Sequence, residues 1–210
     1  MGFFDRYRRP ADLPQRIPVF PLGGALLLPR ADLPLNIFEP RYLAMVEHAL
    51  STDRLIGMIQ PVAGEEAAER PSLMKVGCVG RITSYAESPD DRMLITLTGV
   101  SRFQVVDELD TGTPYRQVVA NYHPFAADLA TGAGAAEVNR PALLKVFRDY
   151  LDANNMSADW KEVDSAPTEV LVNTLSLLAP YPPQEKQALL EAPDLKTRAD
   201  VLVALTEVAL

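Results

Sequence analysis

Seven of the chain's 18 prolines fall within its first 40 residues, at positions 10, 14, 18, 21, 29, 34 and 40. Proline has no backbone N–H, fixes φ, and is excluded from helix interiors and from the middle of a sheet ladder. The opening must therefore be short extended pieces separated by turns. Residues 17–20, 25–28 and 33–35 are the expected strands, with Gly23-Gly24 as a turn or bulge between the first two. Pro40 suits the first turn of a helix, and the acidic Glu39 ahead of it is favoured by the helix dipole. Tyr42, Leu43, Met45, Val46 and Leu50 then supply a helical stripe.

Beyond that helix the pattern turns to strands. Leu55-Ile56-Gly57-Met58-Ile59 reads as a buried strand, and residues 63–72, with Glu65, Glu66, Glu69 and Arg70, as a charged surface loop. Residues 75–87, 93–98, 103–106 and 115–120 are β-rich runs, with Ser88-Pro89-Asp90-Asp91 as a turn. So many strands around one helix predict a closed or nearly closed small β-barrel, because closure hides edges that invite aggregation. After Pro124 the pattern becomes helical. An Ala/Gly-rich stretch, 126–139, is expected to be exposed or mobile, and about four helices follow, one capped by Asp194. The fold class is α+β: a barrel part, 1–125, and a helical bundle, 126–210.

Charge and composition exclude several functions. Twenty basic against 28 acidic side chains give a net −8. A nucleic-acid reader needs a basic footprint, so none is expected here. No apolar run reaches the length of a membrane span, and Met1-Gly2-Phe3-Phe4-Asp5-Arg6 lacks a signal-peptide core. Cys78 is the only cysteine, which excludes an internal disulfide or a thiolate metal cage, and its apolar strand implies a buried, inert thiol. These features predict a soluble cytoplasmic protein. His48 and His123 are the only histidines, and no nucleotide-binding loop, dinucleotide fingerprint or zinc motif occurs. No catalytic residue, metal or cofactor is assigned.

The ordered motifs resemble a known family. Ile17-Pro18-Val19-Phe20-Pro21-Leu22, Leu33-Pro34-Leu35 and Ile37-Phe38-Glu39-Pro40-Arg41-Tyr42 are similar to the opening of the Lon protease N-terminal domain. Val76-Gly77-Cys78-Val79-Gly80-Arg81-Ile82 and Leu97-Thr98-Gly99-Val100-Ser101-Arg102-Phe103 follow in that family's order, and residues 185–198 resemble its helical tail. The resemblance implies a PUA-like pseudo-barrel with one helix, then a helical bundle. It also implies a bacterial member without the ATPase and proteolytic modules, since neither signature lies in these 210 residues. The expected function is non-catalytic binding of unfolded or exposed polypeptide segments, as an adaptor or regulator of protein turnover. The rival reading is a docking module for one folded partner. For peptide binding the candidates are Phe38 and Tyr42 as apolar contacts and Arg41 as a donor to backbone carbonyls. Structural roles at the helix start compete with that assignment, with Glu39 as its cap.

Overall fold

The proline-punctuated opening forms two strands, β1 (Arg16–Pro21) and β2 (Asp32–Ile37), in the computed structural model, which describes residues 6–65 and 68–210. The first five residues and Glu66-Ala67 lie outside the described residues. Helix α1 (Pro40–Ser51) follows, then β3 (Leu55–Ile59), β4 (Val76–Glu87), β5 (Met93–Leu109) and β6 (Arg116–Asn121). Pro34 sits on β2, which pairs only with β5; at such an edge a missing N–H leaves no ladder position empty.

The strands close on themselves. Their order is β2-β5-β4-β3-β1-β6, and β6 also pairs with the far half of β5, so β5, β4, β3, β1 and β6 form a ring. Only β1 and β3 run parallel. The runs 93–98 and 103–106, expected as separate strands, are one 17-residue strand. That strand holds β2 along its first half and β6 along its second, while register shifts against β4 and β6 bend it around.

The segment 25–28, expected as a strand, has no ladder, although Leu26, Leu27 and Leu28 are fully buried. It crosses β5 instead. Arg30 donates its N–H to the Gly99 carbonyl at 2.8 Å, and Gly99 donates to the Ala31 carbonyl at 2.9 Å. A Cβ on Gly99 would stand 2.0 Å from the Leu28 carbonyl oxygen, so this crossing requires glycine.

Five helices follow: α2 (Arg140–Ala153), α3 (Trp160–Ser165), α4 (Thr168–Leu178), α5 (Pro183–Glu191) and α6 (Leu195–Val208). The extra one is α3, six residues long, started by the Asp159 carboxylate accepting from Lys161 and Glu162 and held by the edge of Trp160 on Phe147. Asp194 caps α6 as expected, accepting from the Thr197 N–H at 2.7 Å. Glu39 does not cap α1 with its side chain; it pairs with Arg41 instead.

Two apolar clusters hold the chain. One fills the barrel around Ile17, Val19, Val79 and Phe103. The other joins Leu27, Leu28, Met45 and Leu97 of the barrel part to Leu143, Leu171, Leu189 and Leu202 of the helices. Between them runs a buried polar seam. Arg102, 2 % exposed, is bidentate to Asp128 at 2.8 and 2.9 Å and also donates to the carbonyls of Leu190 and Ala192 at the end of α5. Arg30 pairs with Glu169, whose other oxygen accepts from Gly132 N–H at 2.8 Å. Arg198, whose pKa burial lowers to about 10, donates to Leu189 and Asn173.

This seam crosses the stretch expected to be exposed or mobile. Several residues of 126–139 are exposed, but Asp128 and Gly132 are anchored by these bonds, and 3-10 turns occupy His123–Leu129 and Ala135–Glu137. The stretch has few large apolar side chains, and these bonds anchor it together with Leu129, Ala135 and Val138, which pack on the two apolar clusters.

Candidate functional site

Three prolines that end or begin elements bring their neighbours to one mouth of the barrel. Pro40 starts α1 and places Arg41 and Tyr42 in its first turn; Arg70-Pro71 lies in the β3–β4 loop; Pro114 precedes Tyr115 and Arg116 at the start of β6. These neighbours, with Pro21, Pro61, Pro71, Pro114 and Pro183, line a cleft of about 500 Å³. A second cleft of about 470 Å³ shares Arg41, Glu69, Arg70, Pro114, Tyr115 and Arg116 with it and extends along 109–113, so the two form one continuous groove.

Its floor is aromatic. The Tyr42 ring packs on Phe20, centroids 4.2 Å apart, and the Arg41 guanidinium lies over the Tyr42 ring at 4.7 Å. Burial pushes the hydroxyl pKa of both Tyr42 and Tyr115 up, so both stay neutral donors. Neither hydroxyl has a hydrogen-bond partner among the described residues, and both side chains line the groove. Such hydroxyls are free to meet a ligand.

Its wall is electrostatic. Arg116 grips Glu108 through two nitrogens, at 2.8 and 2.5 Å, and donates to the Pro71 carbonyl at 2.6 Å. Arg70 reaches the same carboxylate at 2.6 Å. Glu108 thus pins the 68–71 strap to β5 and β6. The hydrogen bond from Arg116, helped by Arg70, holds the Glu108 pKa below the usual glutamate value of 4.5. A carboxylate with a depressed folded-state pKa stabilises fully above its unfolded value and loses that contribution as pH falls through the lowered one. The strap is therefore expected to stay pinned at all pH above 4.5 and to loosen only in stronger acid. Amide hydrogen exchange across 68–72 against pH checks this, and loosening already near about pH 6 would contradict it.

Of the three candidate residues, Arg41 and Tyr42 line the groove. Phe38 does not; its ring is 61 % exposed beyond the start of α1, with the Arg92 guanidinium 5.6 Å from its centroid. Tyr115, Arg70, Arg116 and Glu108 escaped the sequence reading, which saw a strand and a solvated loop. The available signal was the recurrence of proline beside arginine or tyrosine: Pro40-Arg41-Tyr42, Arg70-Pro71 and Pro114-Tyr115-Arg116. The groove can offer apolar platforms and N–H and O–H donors. No histidine lines it, although the exposed His48 ring lies 6.0 Å from the Tyr115 ring; His123 is exposed on a separate element, and no group of metal-ligating side chains exists among the described residues.

Comparison with known proteins agrees with this architecture. Residues 16–207 match the family model described as the ATP-dependent protease La (LON) substrate-binding domain. Lon protease 2 of Myxococcus xanthus is 28 % identical over 206 residues, which is 92 % of this chain and 24 % of that protein. The Lon protease of Anaeromyxobacter dehalogenans is 26 % identical over 206 residues, 92 % of this chain and 23 % of that one. The chain thus spans about a quarter of the length of these relatives. Among solved structures, a Lon N-terminal domain protein from Xanthomonas campestris superposes with a TM-score of 0.61 at 22 % identity, covering 90 % of this chain and 97 % of that one. The N-terminal domain of the Mycobacterium avium complex Lon protease gives 0.68 at 18 %, covering 93 % and 100 %. Both share the fold, a β pseudo-barrel with one helix followed by a helical bundle.

Proposed function

The chain belongs to the Lon substrate-binding domain family, and from that membership we propose that it binds unfolded or exposed polypeptide segments in the groove over Tyr42 and Tyr115, without covalent chemistry of its own. The observation that carries this reading is the groove itself: free tyrosine hydroxyls and arginine edges set between proline walls. An extended peptide needs donors for its carbonyls and apolar surface for alternate side chains, and this lining supplies both. Phe38, exposed beside the start of α1, would extend the apolar contact for a longer segment. In this reading the protein acts in protein turnover as an adaptor or regulator, presenting or withholding a captured chain.

Fluorescence anisotropy with a permanently unfolded, labelled model protein tests it. Saturable binding is expected, weakened about three- to tenfold by Arg41→Ala, the range of one or two polar contacts at a half-exposed site. No binding across a diverse panel of unfolded chains would overturn the proposal. A single stoichiometric folded partner from affinity purification, with no binding to unfolded chains, would establish the docking alternative in its place. Purified protein is also expected to hydrolyse no ATP.

A further inference from the structure

Within the proposed polypeptide-binding reading, on which this inference rests, we infer that Gln60 is a positioning residue of the groove. It meets no ligand itself; it ties the Gly23-Gly24 turn of the barrel part to the start of α5 and so places the proline-walled end on which a captured segment packs. Gln60 follows the apolar run of β3 and precedes Pro61, where the local pattern implies a solvated polar side chain. It is instead 2 % exposed and is not part of the groove lining. Its amide is fully used. Oε1 accepts from the Gly24 N–H at 2.9 Å, and Nε2 donates to the Pro183 carbonyl at 2.9 Å and to Gln187 Oε1 at 3.0 Å. An oxygen facing a donor and a nitrogen facing two acceptors leave one orientation of the amide.

The segments that Gln60 joins are the wall itself. Leu22, Gly23, Pro61 and Pro183 all line the groove. They sit side by side: a Cβ on Gly23 would stand 3.8 Å from the Pro61 ring, and one on Gly24 4.0 Å from the Pro183 ring. On the barrel side the turn is held to β3 by the Leu22 N–H, which donates to the Ile59 carbonyl at 3.0 Å. On the helical side Gln187 continues the chain of bonds, donating to the Val76 carbonyl at 3.2 Å and to Glu191 at 2.8 Å. A side chain needed only to fill this space could be leucine or methionine, with no amide to desolvate. A buried amide with every donor used fixes relative position, which is what a binding surface assembled from distant segments requires.

The test measures anisotropy of the labelled unfolded model protein with Gln60→Leu and Gln60→Glu, under conditions where circular dichroism shows each variant folded. Gln60→Leu keeps the volume and removes all three bonds, and binding is expected to weaken about five- to tenfold, the range of one or two polar contacts. Gln60→Glu adds a signature that packing alone would not produce. While protonated, the introduced carboxyl still accepts from Gly24 and donates to one of the two oxygens; once ionised, it faces both without a proton. Burial and those oxygens raise its pKa, so its affinity relative to the unaltered protein at the same pH should fall severalfold between about pH 5 and about pH 9. The ratio cancels groups common to both proteins, among them His48 near Tyr115 and Glu191 beside Gln187. Unchanged affinity in folded Gln60→Leu, or a Gln60→Glu ratio that is flat with pH, would overturn the inference while leaving polypeptide binding intact. If Gln60→Leu does not fold, the pH profile of Gln60→Glu decides alone. Failure of the unaltered protein to bind any unfolded chain would remove the underlying reading and the inference with it.

Discussion

Arg102→Ala is expected to destabilise the protein by about 3–5 kcal/mol, the cost of leaving one member of a buried ion pair alone. Arg102 is 2 % exposed and Asp128 8 % exposed. Its loss strands the Asp128 carboxylate and takes the donor from the Leu190 and Ala192 carbonyls as well. For a chain of this size that corresponds to a fall of roughly 6–20 °C in Tm. Urea unfolding provides the measurement. A double replacement, Arg102→Met with Asp128→Leu, should recover part of the loss, because it removes both charges together. A single-variant cost under about 1 kcal/mol would mean that water reaches the seam and that barrel and helices are not fastened there.

Gly99→Ala is the second large effect. The added Cβ would lie 2.0 Å from the Leu28 carbonyl oxygen and 2.7 Å from its carbon, and both are backbone atoms that cannot rotate aside. Relief requires either the 25–31 crossing or β5 itself to move. A loss of about 3 kcal/mol or more is expected, at or beyond the upper end of over-packing costs. Gly112→Ala is the control: its φ is +65° but nothing lies within 4 Å of the new Cβ. It should cost only about 1 kcal/mol, the ordinary penalty of a left-handed backbone. Equal effects at the two positions would show that conformational entropy, not the close approach, governs Gly99.

These two residues explain why the run Leu97-Thr98-Gly99-Val100-Ser101-Arg102-Phe103 stood out. Gly99 admits the crossing chain, Arg102 fastens the helices, and Phe103, fully buried, fills the barrel. Sequence reading could identify the run as a strand motif but not distribute those tasks. Alternation reports only which face a side chain takes; what that face meets is supplied by segments far along the chain. Arg102 reaches Asp128 and then Leu190, 26 and 88 residues away. An arginine in a strand, read locally, is simply a polar outward position.

The groove divides in the same way. Arg41 and Tyr42 were legible because they sit in a local unit, the Pro40-started helix, whose geometry is set within one turn. Phe38 was grouped with them by adjacency, yet it precedes the helix start and its exposed ring lies outside the groove lining. Arg70, Tyr115 and Arg116 come from a loop and a strand start that are joined by Glu108, which binds both arginines, and by the bond from Arg116 to the Pro71 carbonyl.

What the sequence by itself determined was whatever short-range stereochemistry controls. Proline spacing forced an extended opening, Pro40 started the only long helix of the barrel part, and Asp194 started the last helix of the chain. The α+β class followed from the same local periodicities, and the order of motifs carried the family resemblance. Only the tertiary structure decided that 25–28 crosses a strand without pairing, that two β runs are one bent strand, and that a polar seam ties down parts of a stretch expected to be exposed or mobile. Each of these depends on partners tens of residues distant, whose meeting is fixed by barrel closure and burial and not by the identity of the neighbours along the chain.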